Sequence, residues 1–446
     1  MGFWETQAST SLGPKEFAFV RDACSRYLPA TGAGPVASLN IPSTDAAAPR
    51  PHFSHIALPD WAVDIGVGNP AGLLAPSDCI LPGDGPPWLR CDWWRTLFYF
   101  LTGEAERAFE AEHGPVHSYA LRLPDNLAPV FDRAWCNRIM LFLRRYGAYT
   151  ASVAEDDAFG TKPGPILHLT HDVDAVAKTL PIRIKKAAFD GFNVMRAGMR
   201  GQFRQAMGHA GRGVAYFFRR ADYWCIDQIA ALEAGHGLTS VFNVYGGRGS
   251  WRRSPRRILL DPGYDVADQK IAIALRTLTQ SGFGVGLHQS FDAWKNADGM
   301  QREKNRVEEA IHCPVTICRQ HWLRFSWYDT WAAQERAGFA LDMTLGFNDR
   351  PGFRNGAALR LPAWIAARNA SSQSLSTVPL MLMDSHLFDY GLMEPDARRH
   401  AIDHWLDELA FTGGEASVVW HQRVFHPQDY GWGTDYEYLL GRAAAL

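Results

Sequence analysis

A chain of 446 residues, 47% of them hydrophobic, exceeds the roughly 250–300 residues at which a single core stops growing, so a large domain and a smaller one are expected. Its formal charge of −2 excludes a nucleic-acid binder working by bulk electrostatics, leaving a small or sugar-like molecule as the expected partner. The seven cysteines are odd in number, scattered and without C-x-x-C spacing, which excludes a cysteine zinc site or redox pair and predicts reduced, mostly buried thiols.

Met1-Gly2-Phe3-Trp4-Glu5 lacks the basic start and apolar run of a signal peptide, and no stretch of about 20 apolar residues follows, so a cytoplasmic location is expected. Residues 31–90 are rich in Pro, Gly, Ala and Ser and are predicted to hold more loop than regular structure. Helical spacing begins at Trp93: Trp94, Leu97, Phe98 and Leu101 form one apolar stripe, and Ile139, Met140, Phe142 and Leu143 another. These stripes predict a small mixed N-terminal domain over residues 1–160, closed by Lys162-Pro163-Gly164-Pro165.

From residue 161 to 446, short apolar runs alternate with helical patterns. Ile166–Thr170, Ser240–Val244 and Gly284–Leu287 read as strands, and Ile226–Leu232 and Ile271–Leu278 as helices. An amphipathic helix carrying Ile402, Trp405, Leu406 and Leu409 then precedes the strand Ser417–Trp420. The alternation predicts an α/β fold with parallel strands and crossover helices, closed or nearly closed into a barrel whose site lies where strands end and loops begin. One segment breaks the pattern: residues 178–220 hold ten basic residues against the single acid Asp190, interleaved with Phe, Met and Ile. Such an insertion fits an anionic membrane surface at the inner face of the membrane, a phosphorylated substrate, a solvated helical face or a subunit contact.

Asp172 and Asp174 stand one residue apart at the end of an apolar strand, so their side chains leave on one side if the strand continues that far. Two carboxylates held together repel, and a cation beside them offsets the cost; an Asx-turn or helix N-cap is the structural alternative, made weaker by the flanking His171 and the later histidines. His288 follows a second apolar strand, and if a helix starts there His288 and Asp292 face one way and both reach a metal. Arg319 and His321 follow Val315-Thr316-Ile317; an arginine beside a carboxylate keeps it ionised, as a general base requires, although a surface ion pair accounts for it equally simply. His421 ends the strand Ser417–Trp420, where an imidazole is suited to protonating a leaving amine or to bonding the backbone.

In order along the chain, "LTHDVD", "TSVFNVYG", "GVGLHQSFDAW", "RQHWLRF", "LDMTLGFNDRPGFR", "PLMLMD" and "VVWHQ" together resemble the polysaccharide deacetylase family, the NodB-homology or carbohydrate esterase family 4 group. The resemblance covers roughly residues 165–435 and is closest to a branch associated with exopolysaccharide clusters; "WWRTLFYFLTGEAERAFEAEHG" is similar to the accessory region that precedes the catalytic domain there. It implies a distorted seven-stranded (β/α) barrel and a metal-dependent hydrolase that removes N-acetyl groups from an amino sugar. Residue by residue it implies Asp172 as catalytic base, Asp174 and His288 as metal ligands, Arg319 as partner of the base and His421 as general acid. This chain departs in having Asp-Val-Asp for Asp-Asp-Gly and Asp292 for the second metal-binding histidine, so Asp292 or His321 is expected to complete the site. Zinc is the expected metal, with cobalt, nickel or manganese as alternatives. Trp322, Phe353, Arg354, Trp364 and Trp432 are candidates for the sugar cleft, since aromatic faces suit pyranose rings. The opposing possibility is a non-catalytic carbohydrate-binding or assembly protein on a barrel that has lost its metal.

Overall fold

A computed structural model describes residues 11–29, 39, 41–45, 49–199, 201, 203–218, 221–249 and 254–446. Met1–Glu5, residues 31–38, and Arg200, Arg219 and Arg220 of the basic insertion lie outside the described residues, as do the side chains of Lys185, Arg196 and Arg212. The chain forms two compact units, each assembled from stretches far apart in sequence. The first comprises Met1–His168, Trp322–Val418 and Ala445–Leu446; the second comprises Leu169–His321 and Val419–Ala444.

In the first unit, β1 (Phe53–Ala57) and β2 (Gly72–Pro76) pair antiparallel within the stretch rich in Pro and Gly, so that stretch holds a hairpin as well as loops. The helix Trp93–Leu101 is buried on every side rather than on one stripe alone. Asp92 caps its start by accepting from Arg95 N at 2.9 Å, and the Arg95 guanidinium is met by Glu104 at 2.7 Å. Trp93, Phe142 of the helix Trp135–Ala151 and Trp364 belong to one aromatic core. Asn137 ties separated stretches of this unit together: its Nδ2 donates to Ala358 O at 2.9 Å and its Oδ1 accepts from Ala358 N at 2.9 Å. Arg138 grips Glu408 through two bonds of 2.8 and 2.6 Å.

In the second unit, β3 (Ile166–Val173, of which Leu169–Val173 belong to this unit), β4 (Ser240–Tyr245), β5 (Gly284–Gln289) and β6 (Ile317–Gln320) are neighbours in that order and pair in parallel, with Leu169 opposite Ser240, Val241 opposite Gly284 and Leu287 opposite Cys318. Helices Ile226–Gly235, Gln269–Gln280 and Ala297–Ile311 make the crossovers. The strands read as continuous apolar runs because a parallel sheet covered by helices is buried on both faces. Asp268 and Asn296 cap the second and third helices by accepting from Lys270 N at 3.0 Å and Gly299 N at 2.9 Å. The α/β class with parallel strands and crossover helices is thus the observed one. β3 runs three residues beyond the predicted Thr170, placing Asp172 inside the strand and Asp174 just past its end. All seven cysteines are free, six of them buried and Cys313 exposed.

Candidate metal centre

Every side chain of the centre belongs to the second unit and leaves a strand at or near its C-terminal end. Asp172 is buried on β3 opposite Asn243 of β4. Its Oδ1 accepts from Asn243 Nδ2 at 2.9 Å and from Arg319 Nη1 at 3.1 Å, and the same Arg319 nitrogen donates to Thr170 Oγ1 at 2.6 Å. Burial raises the Asp172 carboxyl, but the charge of the fully buried Arg319, with His288 and His421 nearby, outweighs it and holds the group down at about 2. Gly286, opposite Asn243 in the register, makes this contact possible: a β-carbon at Gly286 would lie 2.4 Å from Asn243 Oδ1.

Asp174 Oδ1 is buried and without a hydrogen-bond partner, yet it stands 3.4 Å from His288 Nε2 and 3.4 Å from His321 Nδ1. Two backbone carbonyls set the protons on these rings. Since a carbonyl only accepts, His288 Nδ1–H must donate to Arg319 O at 3.0 Å and His321 Nε2–H to Leu260 O at 2.8 Å. The nitrogens left over, His288 Nε2 and His321 Nδ1, face each other at 2.8 Å. Neutral rings would therefore point two lone pairs and an ionised carboxylate oxygen at one small volume, an arrangement that calls for a cation. Asp174, His288 and His321 form the group of potential ligands whose donor atoms all lie within 4.8 Å of one another among the described residues. Two imidazole nitrogens and one carboxylate oxygen fit zinc or a neighbouring divalent transition metal. Burial raises the Asp174 carboxyl, yet Arg423 and the two histidines more than reverse this and keep it well below the usual carboxylate range.

Asp292 is not brought into this group. β5 ends at Gln289 and is followed by turns, the next α-helix starting only at Ala297, so the helical spacing that would align His288 with Asp292 does not exist. The Asp292 carboxylate instead lies exposed in an ion pair with Arg256 at 3.0 Å. His171 also points elsewhere, because alternate residues of a strand take opposite faces. Its Nδ1 donates to Trp420 O at 2.6 Å and its Nε2 lies 2.8 Å from Glu233.

His421 follows the strand Glu415–Val419 and Trp420, and its Nε2 lies 3.7 Å from Asp174 Oδ2. Trp420 N donates to Thr170 O at 3.0 Å, which holds this stretch beside β3. Sequence reasoning missed Arg423, which contacts Asp174 Oδ2 two residues beyond His421, and Asn243; the in-phase position of Asn243 on the second strand was the available signal. Of the cleft candidates, Phe353, Arg354 and Trp364 are buried in the first unit, at 0%, 2% and 1% exposure, and offer a sugar no face. Phe353 packs on Trp405, Arg354 pairs with Glu106, and Trp364 packs on Phe19 and Phe98. Trp322 of the first unit is 38% exposed, and Trp432 of the second is half-buried against Tyr430. A pocket of about 660 Å³ in the second unit starts at Ala175, next to Asp174, and is lined by Ile182, Trp224, Tyr264, Asp268 and Ile271 among others.

Fold and centre together define an α/β protein with a histidine–carboxylate site at the ends of parallel strands. Among solved structures it is similar to a putative polysaccharide deacetylase from Mycobacterium smegmatis, at 16% identity over 64% of this chain and 86% of that one, with a TM-score of 0.36. It is also similar to the T48 deacetylase with substrate, at 10% identity, 63% and 85% coverage and a TM-score of 0.28. A third is BA3943, a CE4 family pseudoenzyme from Bacillus anthracis, at 11% identity, 65% and 68% coverage and a TM-score of 0.26. No family model and no curated protein matches the chain.

Proposed function

We propose that this protein is a metal-dependent hydrolase of the polysaccharide deacetylase type, which removes N-acetyl groups from an amino sugar. The observation that carries the reading is the convergence of Asp174 Oδ1, His288 Nε2 and His321 Nδ1, with ring protons committed to carbonyls, beside a separately held carboxylate. A divalent ion bound there supplies Lewis acidity to an amide oxygen and acidity to water.

The chain's own residues divide the remaining work. Asp172, kept ionised by Arg319 and oriented by Asn243, takes the proton of the attacking water. Water's oxygen ends on the acyl carbon, the carbon–nitrogen bond breaks, and His421 delivers the proton that the departing amine needs. The pocket that begins at Ala175, the residue after Asp174, offers a sugar the Trp224 indole as a stacking face and Asp268 as an acceptor for hydroxyls, while Asp172, Asp174, His288 and His421 are outside its lining. The motif resemblance over residues 165–435 supports the same chemistry.

The test is metal analysis of the purified full chain together with acetate release from N-acetylated oligosaccharides. Close to one equivalent of zinc, cobalt, nickel or manganese is expected, with release that Asp172→Asn lowers about 10²–10⁴-fold. Protein that takes up no metal and releases no acetate would be a carbohydrate-binding relative, and the proposal would fall.

A further inference from the structure

Six residues after Asp174 the chain runs out into a helical hairpin, Leu180–Met199 and Phe203–Phe218. Its sidedness is the reverse of a helix that meets water. On the first helix the buried side chains include Asp190 and Asn193, at 4% and 1% exposure, while Leu180, Ile184, Phe192, Met195 and Met199 are between 48% and 75% exposed. Those five recur at helical spacing and so share one stripe. The second helix repeats the pattern, with Phe203, Met207, Val214 and Phe218 between 63% and 77% exposed.

The base of the hairpin is firmly held, so this is not loose chain. Lys178 and Asp429 form an ion pair of 2.8 Å with both side chains 0% exposed. The Lys178 ammonium lies 3.7 Å from the centre of the Tyr216 ring, and Tyr223 donates to Tyr216 at 2.7 Å, fixing the second helix to the same root.

Charge identifies what covers the apolar face. Residues 178–220 carry ten basic residues, of which Lys178 is neutralised by Asp429 and Lys186 by Asp190, the segment's one acid, leaving eight. A second copy docked through this face would bring two strongly cationic segments together and be repelled. A bilayer with anionic headgroups offers both a hydrocarbon layer for the apolar stripes and negative charge for the excess of Arg and Lys in the sequence of 178–220. No helix among the described residues is long and apolar enough to cross a membrane, so a hairpin bound to a bilayer would lie in the plane of the interface.

We propose that the hairpin Leu180–Phe218 docks the protein on an anionic lipid bilayer, its stripes from Leu180 to Met199 and from Phe203 to Phe218 entering the acyl region. Through Ala175–Thr179 this holds the metal centre close to the lipid surface. The docking is independent of the hydrolase reading, because lipid binding is measured without substrate or metal.

The full chain is mixed with phosphatidylcholine vesicles, with or without about 30% phosphatidylglycerol, and bound protein is separated by flotation at about 0.1 M salt. Binding to the anionic vesicles is expected, weakened about tenfold or more by removal of phosphatidylglycerol and by Phe192→Glu with Phe203→Glu. Circular dichroism of that variant should match the unsubstituted chain. A Phe192→Trp variant should be quenched by brominated acyl chains more than the unsubstituted chain, whose sixteen tryptophans set the background. Absence of flotation, equal flotation of the glutamate variant, or no added quenching overturns the proposal. So does a dimer of the unsubstituted chain that the glutamate substitutions dissolve, since a second copy would then cover the face.

Discussion

Asp172 and Asp174 are the same residue type two positions apart on one face, and their surroundings give them different tasks. Arg319 and Asn243 saturate Oδ1 of Asp172, whereas Asp174 keeps one oxygen without a hydrogen bond, so in the proposed mechanism Asp172 is the base and Asp174 the ligand. Asp172→Asn should lower acetate release about 10²–10⁴-fold with metal content unchanged, whereas Asp174→Asn should lose the metal, as read by elemental analysis of both variants. With its pKa at about 2, Asp172 imposes no acid limb on kcat/KM near neutrality. Arg319→Gln removes the charge that depresses it, so the acid limb should move to higher pH; a profile that does not move argues against Asp172 as the base. Gly286→Ala acts on the same group indirectly, since its new methyl displaces Asn243. His117 gives a separate pH effect on stability. Burial and the neighbouring Arg324 hold it at about 4, below an unfolded value near 6.5, so the folded chain refuses a proton that the unfolded chain accepts. Stability should therefore fall as pH drops from about 6.5 to about 4, and His117→Gln should flatten that slope in urea titrations.

At the scale of elements, the centre exists because parallel strands in fixed register end at one level. His288 lies opposite Arg319, and Asp172 opposite Asn243, so short side chains from β3, β4, β5 and β6 meet without any long loop. Strand ends were legible: the apolar runs, and the polar residue that closes each one, stand plainly in the sequence. The path beyond them was not: the sequence left Asp292 and His321 both as candidates to complete the site, and the structure brings His321, just past β6, beside Asp174 and His288 and leaves Asp292 outside. The turn at Ser290–Asp292 is set by tertiary bonds, among them Ser290 N to Glu303 at 2.9 Å and Phe291 N to Asp261 at 2.8 Å. In the first unit, the helix Trp135–Ala151 is coupled to the helix Pro395–Thr412 through Arg138 and Glu408, whose side chains are 9% and 4% exposed. Glu408→Ala strands a buried guanidinium and should cost about 3–5 kcal/mol of stability by denaturant unfolding. Replacing both partners, as Arg138→Met with Glu408→Leu, should recover most of that loss.

For the whole molecule, an ion held by Asp174, His288 and His321 would join three strand ends of the second unit and should stabilise that unit selectively. At a metal concentration about 100 times Kd the gain is about 2.7 kcal/mol. Hydrogen exchange with and without zinc should show added protection in 169–321 and 419–444, and Asp174→Asn should abolish it. What the sequence determined by itself was local: the alternation of apolar runs and helical stripes, the polar residues at strand ends, the lack of paired cysteines and the cationic character of 178–220. Each of these depends on neighbours within a few residues, and periodicity and composition report such neighbours directly. Tertiary structure alone decided which distant stretches share a unit, that Phe353, Arg354 and Trp364 are core rather than cleft, and that the apolar side of the basic hairpin faces outward. It also decided the proton positions on His288 and His321, because they depend on the carbonyls of Arg319 and Leu260, and only folding in three dimensions brings those within hydrogen-bonding distance.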